Sequence, residues 1–395
     1  MRTFLKNRLF SSVSRTKNKK KTKPSEVDKD RDSSGGCGDE VVVDGGGGDY
    51  NYHYFDHKTV MIPHDDKKKR GGEDAVAAND QFLIVADGVG GWASEGVNPA
   101  AFARTLVNTI LKLSTMATTN TTTTNTTDNE NAGDDDDDLK TLVHTANLLT
   151  ASKHLGSATC TTLKLLGKEA STNGTVTLKA LNVGDSGYAI FRLRPQSESS
   201  SSSSSSSLSD YNYELIFVSQ VGQKQFNFPH QLGGTRFGDD VRRVGIEATH
   251  SLQTDDIVVV YSDGVSDNLP PDLFPKCLQQ NTILVDDDSN TTSTTTTTMN
   301  TTNTTNTTNT TNAVVDLEGV ADCIARTAYF LGKDQSFDSP FAQGAREAGW
   351  GDCMGGKHDD ITVTIAQIRS GSKPPVSNDN KEESILMYLG KVKPL

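Results

Sequence analysis

Residues 81–92 read Gln-Phe-Leu-Ile-Val-Ala-Asp-Gly-Val-Gly-Gly-Trp. The unbroken apolar run predicts a buried strand, and Asp87 closes it with a carboxylate at the rim of the core. A glycine-rich loop follows, then a helix. Asn98 suits the N-cap and Pro99 the first helical position. Phe102, Leu106 and Ile110 recur four residues apart and give that helix its buried face. A second helix is predicted over 139–153. Strand-like runs rich in Val, Ile, Leu and Thr follow at 157–166, 175–184, 187–194, 213–219 and 256–263. Ile257 to Tyr261 is apolar on both faces, so its sheet is expected to be covered on both sides. A helix near 315–331 carries Leu317, Val320, Ile324 and Ala328 on one side, and a last strand spans 360–368. Strands cluster without regular β-α alternation, which favours an α+β fold over a doubly wound sheet.

The rest of the chain has a different composition. Residues 117–138, 196–209 and 286–312 are tracts of Thr, Asn, Ser and Asp with almost no apolar side chains. Such tracts cannot offset the entropy of ordering, so they are expected to be disordered inserts in surface loops. The organisation predicted is a targeting segment and linker over 1–50, one domain over 51–370 whose folded part begins near His57, and a tail over 371–395. Residues 1–25 carry nine Lys/Arg and no acid, with Leu5, Leu9 and Val13 on one helical face. This is transit-peptide composition. The whole chain has a net charge of −12. An acidic body argues against nucleic acid as the main partner, because phosphate backbones need basic patches. No apolar run approaches the about 20 residues that span a membrane. The five cysteines are widely spaced without a CxxC pair, and reduced thiols are expected rather than a zinc site or a disulfide framework.

One small pattern recurs through the folded segments. A hydrophobic strand runs into an aspartate, then a glycine or a second polar residue. It stands as Val-Ala-Asp87-Gly88, Val-Gly-Asp185-Ser186, Tyr-Ser-Asp263-Gly264 and His-Asp359-Asp360, with Glu73-Asp74 just before the first strand. A single Asp-Gly is a common turn pair. Several strand-end carboxylates brought together would repel and raise one another's pKa unless cations relieved them, and hard oxygen ligands suit Mg²⁺ or Mn²⁺.

These blocks resemble the motifs of the type 2C metal-dependent serine/threonine protein phosphatases, most of all their mitochondrial and plastid branch. The matching stretches are Met61-Ile-Pro-His64, Gly71-Gly-Glu-Asp-Ala75, Val85 to Trp92, Gly156-Ser-Ala-Thr159 and Asn182-Val-Gly-Asp-Ser186. Further on come Phe226 to Leu232, Ser262 to Asp267, Ser339-Pro-Phe341 and Gly355 to Val363. They occur in the family's order. The resemblance implies a four-layer αββα sandwich, two antiparallel sheets flanked by helices, with a binuclear metal cleft at one end. It implies hydrolysis of phosphoserine and phosphothreonine in phosphoprotein substrates. Asp87 would bridge two Mn²⁺ or Mg²⁺ ions, with the Gly88 carbonyl on one of them. Asp263 and Asp359 would hold one ion and Glu73 the other, directly or through water. Asp185 would help Asp263 hold a weaker third ion. Asp87 and Asp263 would thereby act through a metal-bound water that attacks phosphorus in line. Lys69 or Arg70 would anchor the substrate phosphate, and Arg offers the bidentate fork.

This sequence has Val89 where many relatives have a histidine proposed as general acid. Another group must then protonate the leaving group. A catalytically weak phosphoprotein-binding module of the same fold is the alternative function, and a small-molecule phosphohydrolase is another. Gly184-Asp-Ser-Gly187 alone does not make a serine protease, because no activating histidine motif accompanies it. The branch resemblance favours a mitochondrial destination over a plastid one.

Overall fold

The computed structural model describes residues 52–120, 138–166, 175–195, 211–285 and 312–371. The expected targeting segment lies outside the described residues. So do nearly all of the three expected inserts and all but the first residue of the expected tail.

Two five-stranded antiparallel sheets form the centre. The first runs β1 (Tyr52–Ile62), β16 (Ile361–Gly371), β13 (Ile257–Tyr261), β7 (Gly187–Pro195) and β8 (Tyr211–Val218). The second runs β12 (Ile246–Gln253), β6 (Thr175–Val183), β5 (Cys160–Leu166), β3 (Phe82–Asp87) and β2 (Asp74–Ala78). Short pairs join β4 (Ser157–Ala158) to β11 (Leu232–Gly233), β9 (Gln223–Gln225) to β10 (Phe228–Pro229), and β14 (Thr282–Val285) to β15 (Asn312–Val315).

Period-two alternation sorts side chains to opposite faces of each strand. Leu83 and Val85 enter a core between the sheets with Val258, Val260, Ala366 and Ile368. Phe82, Ile84 and Ala86 face the other way, onto α1 (Pro99–Asn120) and α2 (Leu139–Ala151). Ile257, Val259 and Tyr261 face α4 (Asp263–Ser266), α5 (Phe274–Gln280) and α6 (Leu317–Lys333) across the first sheet. Short α3 (Val241–Val244) precedes β12, and α7 (Pro340–Glu347) precedes β16. The result is the expected αββα sandwich. No described helix is long and apolar enough to cross a membrane.

The predicted Asn98 cap is present, and Asp138 adds a second. Asn98 Oδ1 accepts from the N–H of Ala100 at 3.2 Å. Asp138 accepts from Lys140 and Thr141 to start α2. Phe102, Leu106 and Ile110 are fully buried.

Four expectations need correction. Cys277 on α5 and Cys323 on α6 form a disulfide, because two helices far apart in sequence pack side by side over the first sheet. Cys160 and Cys353 remain as thiols. The first sheet begins at Tyr52 rather than near His57, since β1 pairs with β16 along its whole length, from Tyr52 opposite Gly371 to Ile62 opposite Ile361. The strand predicted over 256–263 stops at Tyr261, where Ser262 becomes the N-cap of α4. The insert boundaries are also narrower: α1 continues to Asn120, Asp138 caps a helix and Asn312 joins β15.

Candidate metal centre

Asp74 opens β2 directly opposite Asp87 at the end of β3. Asp185 follows the end of β6, Asp263 follows β13, and Asp359 and Asp360 precede β16. Each carboxylate is therefore fixed by a strand terminus. Asp87 lies within electrostatic reach of Asp74, Asp263, Asp359 and Asp185. The sheets thus bring together five of the aspartates singled out in the sequence.

Glycines make the approach possible. A Cβ on Gly88 would stand 2.8 Å from the carbonyl oxygens of both Glu73 and Pro99, so only glycine lets the chain pass between them. Gly71 and Gly72 both hold φ near +75°, which turns the chain back so that the Glu73 N–H donates to Asp360 Oδ2 at 2.9 Å. Arg104 on α1 donates to the carbonyls of Arg70, Gly71 and Gly72 and pins that turn from behind. Thr159 Oγ1 accepts from the Asp87 N–H at 3.2 Å and is 2.8 Å from Ser186 Oγ, tying the Asp87 and Asp185 turns together.

The electrostatics are those of crowded acids. Burial, then the charges of Asp74, Asp263 and Asp359, push Asp87 well above the usual carboxylate range. Burial and Asp263 do the same to Asp185. Asp74 is pushed up to about 7 by burial and by Asp360, although Thr362 donates to its Oδ2 at 2.6 Å. Asp267, one turn past Asp263, is raised to about 7 by burial and its neighbours despite Lys357.

Two ammonium groups enter this cluster. Lys67 Nζ donates to Asp359 Oδ1 at 3.1 Å and to Asp360 Oδ2 at 2.9 Å. It also stands 2.8 Å from Glu73 Oε2 as an ion pair outside hydrogen-bond geometry, which leaves that oxygen buried without a bond. Lys357 Nζ donates to Asp263 Oδ2 and Asp267 Oδ2, both at 2.6 Å. Asp359 sits between the two lysines. Burial works against its charge, but Lys357 and Lys67 hold it below its ordinary value.

Among the described residues, no three His, Cys, Asp or Glu side chains close on one point as a finished metal cage. The donor set nevertheless fits a hard divalent ion. Of eight carboxylates (Glu73, Asp74, Asp87, Asp185, Asp263, Asp267, Asp359 and Asp360), the two ammonium groups contact five: Glu73, Asp263, Asp267, Asp359 and Asp360. Asp74 Oδ1 and Asp185 Oδ1 are buried without a hydrogen-bond partner. Uncompensated buried carboxylates of this kind call for a cation.

The two expected phosphate anchors stand at the outer edge of the same turn. Lys69 is exposed. Arg70 is 54% exposed, with its guanidinium 3.8 Å from Glu73 Oε1 at the rim. Sequence reasoning passed over Lys67, Lys357 and Asn268. The Gly-Lys-His-Asp-Asp block did place Lys357 two residues before a metal-ligand candidate, which was a usable signal. Asn268 carries none. It is fully buried, donates to the carbonyls of Gly264 and Lys357, and accepts from the Lys357 N–H. His64 and His358 stack with ring centroids 4.1 Å apart, beside Asp65, which Lys333 and Tyr329 also hold.

No family model matches the chain. Probable protein phosphatase 2C 80 of Arabidopsis thaliana is 30% identical over 311 residues, 78% of this chain and 57% of the relative. Probable protein phosphatase 2C 55 of the same plant is 27% identical over 318 residues, 79% of this chain and 51% of its own. The chain thus spans little more than half the length of these curated relatives. Among solved structures, the X-ray structure of the photosystem II phosphatase PBCP covers 80% of this chain and 99% of its own, at 25% identity and a TM-score of 0.55. The chain is thus similar to protein phosphatase 2C proteins in sequence and to a solved phosphatase in fold.

Proposed function

We propose that the chain hydrolyses phosphoserine and phosphothreonine esters in proteins, with Mn²⁺ or Mg²⁺ held by Glu73, Asp87, the Gly88 carbonyl, Asp263 and Asp359, and Asp185 alongside them. The observation that carries the reading is the meeting of strand-end aspartates around Asp87, where buried carboxylate oxygens of Asp74 and Asp185 lack any donor. When bound, such ions supply an activated water and positive charge opposite the phosphoryl oxygens. The protein's own groups supply the rest. Asp74 and Asp360 brace the acids from behind: Asp360 accepts from the N–H groups of His64 and Glu73 and so fixes where Glu73 leaves the turn. Arg70 at the rim meets the substrate phosphate, and the Lys67 ammonium adds charge beneath it. Val89 has no proton to give, so the leaving oxygen takes its proton from water.

Phosphate release from a phosphothreonine peptide by the full chain tests this reading. Release is expected with Mn²⁺, none with excess EDTA, and a loss of at least about 100-fold in Asp263→Asn. Equal release by Asp263→Asn sinks the site. A folded, Mn²⁺-loaded chain without turnover favours the phosphoprotein-binding alternative. We also propose a mitochondrial destination from the basic, acid-free composition of residues 1–25, with the plastid as the alternative. A fluorescent protein fused behind residues 1–50 that enters neither organelle removes that proposal.

A further inference from the structure

We propose that the Lys357 ammonium is a resident cation of the site, standing in place of the weaker third ion that Asp185 and Asp263 would otherwise hold. The proposal rests on the metal-dependent reading above. Lys357 Nζ is within 2.6 Å of oxygens from both Asp263 and Asp267, and 3.8 Å from Asp359 Oδ2. Asp185 lies within electrostatic reach of Asp263, Lys357 and Asp267 together. Two cations cannot share such close quarters without strong repulsion, so an ammonium held there excludes a divalent ion.

The lysine is built into position. Asn268 clamps its backbone from both sides, with bonds of 2.8 Å to its carbonyl and from its N–H. The ammonium lies 5.3 Å from the Phe341 ring centroid. Phe341 is itself placed by its own N–H, which donates to the Asp267 carbonyl, and by the Ser339 cap on α7. Buried ammonium groups need paired carboxylates, and this one has them.

The test is Mn²⁺ stoichiometry by equilibrium dialysis and metal analysis of the full chain, with thermal melting in EDTA and in Mn²⁺. The unaltered chain is expected to bind about two Mn²⁺, as a two-metal site does, and Lys357→Met about three. Lys357→Arg keeps the charge and is expected to stay at about two. In EDTA, Lys357→Met melts lower, and added Mn²⁺ raises its melting temperature more than that of the unaltered chain. Equal, non-zero counts in the unaltered chain and Lys357→Met overturn the proposal and leave the metal-dependent reading standing. A third ion on the unaltered chain overturns it whether or not the variant folds. No Mn²⁺ on either chain overturns the proposed function itself, and this inference with it.

Discussion

At Gly88 one hydrogen atom decides the geometry of the site. Gly88→Ala sets a methyl group 2.8 Å from two carbonyl oxygens of the backbone, which cannot swing aside as a side chain would. Overpacking of this kind costs about 1–3 kcal/mol, and the strain falls on the neighbouring Asp87. Gly88→Ala is therefore expected to lose most of its Mn²⁺ affinity while keeping its secondary structure, measured by metal titration and circular dichroism. A second residue-scale consequence concerns pH. Asp74 and Asp267 titrate near 7 in the folded protein and near 3.8 in a free chain. A raised carboxyl pKa means that the folded state binds more protons than the unfolded one, so stability falls as pH rises between those values. The melting temperature in EDTA is expected to drop from pH 5 to pH 8 and to flatten when Mn²⁺ is present, since the ion favours the ionised carboxylates. A rise over that interval in EDTA contradicts the assignment. Asp87, Asp185, Asp263 and Asp359 were legible as strand ends. Lys67 was not, because a run of four basic residues gives no hint of which one turns inward. The glycine pair at 71 and 72 makes that choice, by folding the turn onto Asp360.

Elements built from continuous apolar runs were easy to read, and those with mixed faces were not. β3 and β13 are buried on both sides and announce themselves. β1 alternates buried and exposed residues that include His53, Asp56 and His57, so its polar side chains hid a strand. β12 (Ile246–Gln253) likewise shows a weak alternation through Thr249 and His250. Its place is set by pairing with β6, a contact between segments that the local sequence does not encode. The joint between β7 and β13 offers a direct test of packing at this scale. Arg192 donates twice to Asp256, at 2.6 Å each, and Asp256 is 1% exposed. Arg192→Met leaves that carboxylate buried without its partner, which is expected to cost about 3–5 kcal/mol in urea denaturation. A loss below about 1 kcal/mol would show that water replaces the guanidinium.

For the molecule as a whole, the layers of the sandwich follow from alternation within each strand and from the stripes on α1 and α6. The Cys277–Cys323 link did not follow, because pairing depends on two helices meeting in space. The bond closes a loop with a sequence separation of 46. Constraint of the unfolded chain by a loop of that length is worth about 4 kcal/mol. Cys277→Ser with Cys323→Ser is expected to lower the melting temperature under oxidising conditions, and dithiothreitol to do the same to the unaltered chain. Identical melting with and without reductant argues against the link.

Two of the low-complexity tracts enter and leave the domain at neighbouring points. The Ser-rich tract joins β7 to β8, and the long Thr/Asn tract joins β14 to β15, each an antiparallel pair whose register holds both ends. Closing a longer loop between fixed ends grows only logarithmically in cost, about 0.6 kcal/mol per doubling. Such junctions make tract length nearly neutral to the fold. Repeats of this composition can lengthen or shorten over generations, and a cassette such as an affinity tag can be spliced into either tract, while the acids beneath keep their places.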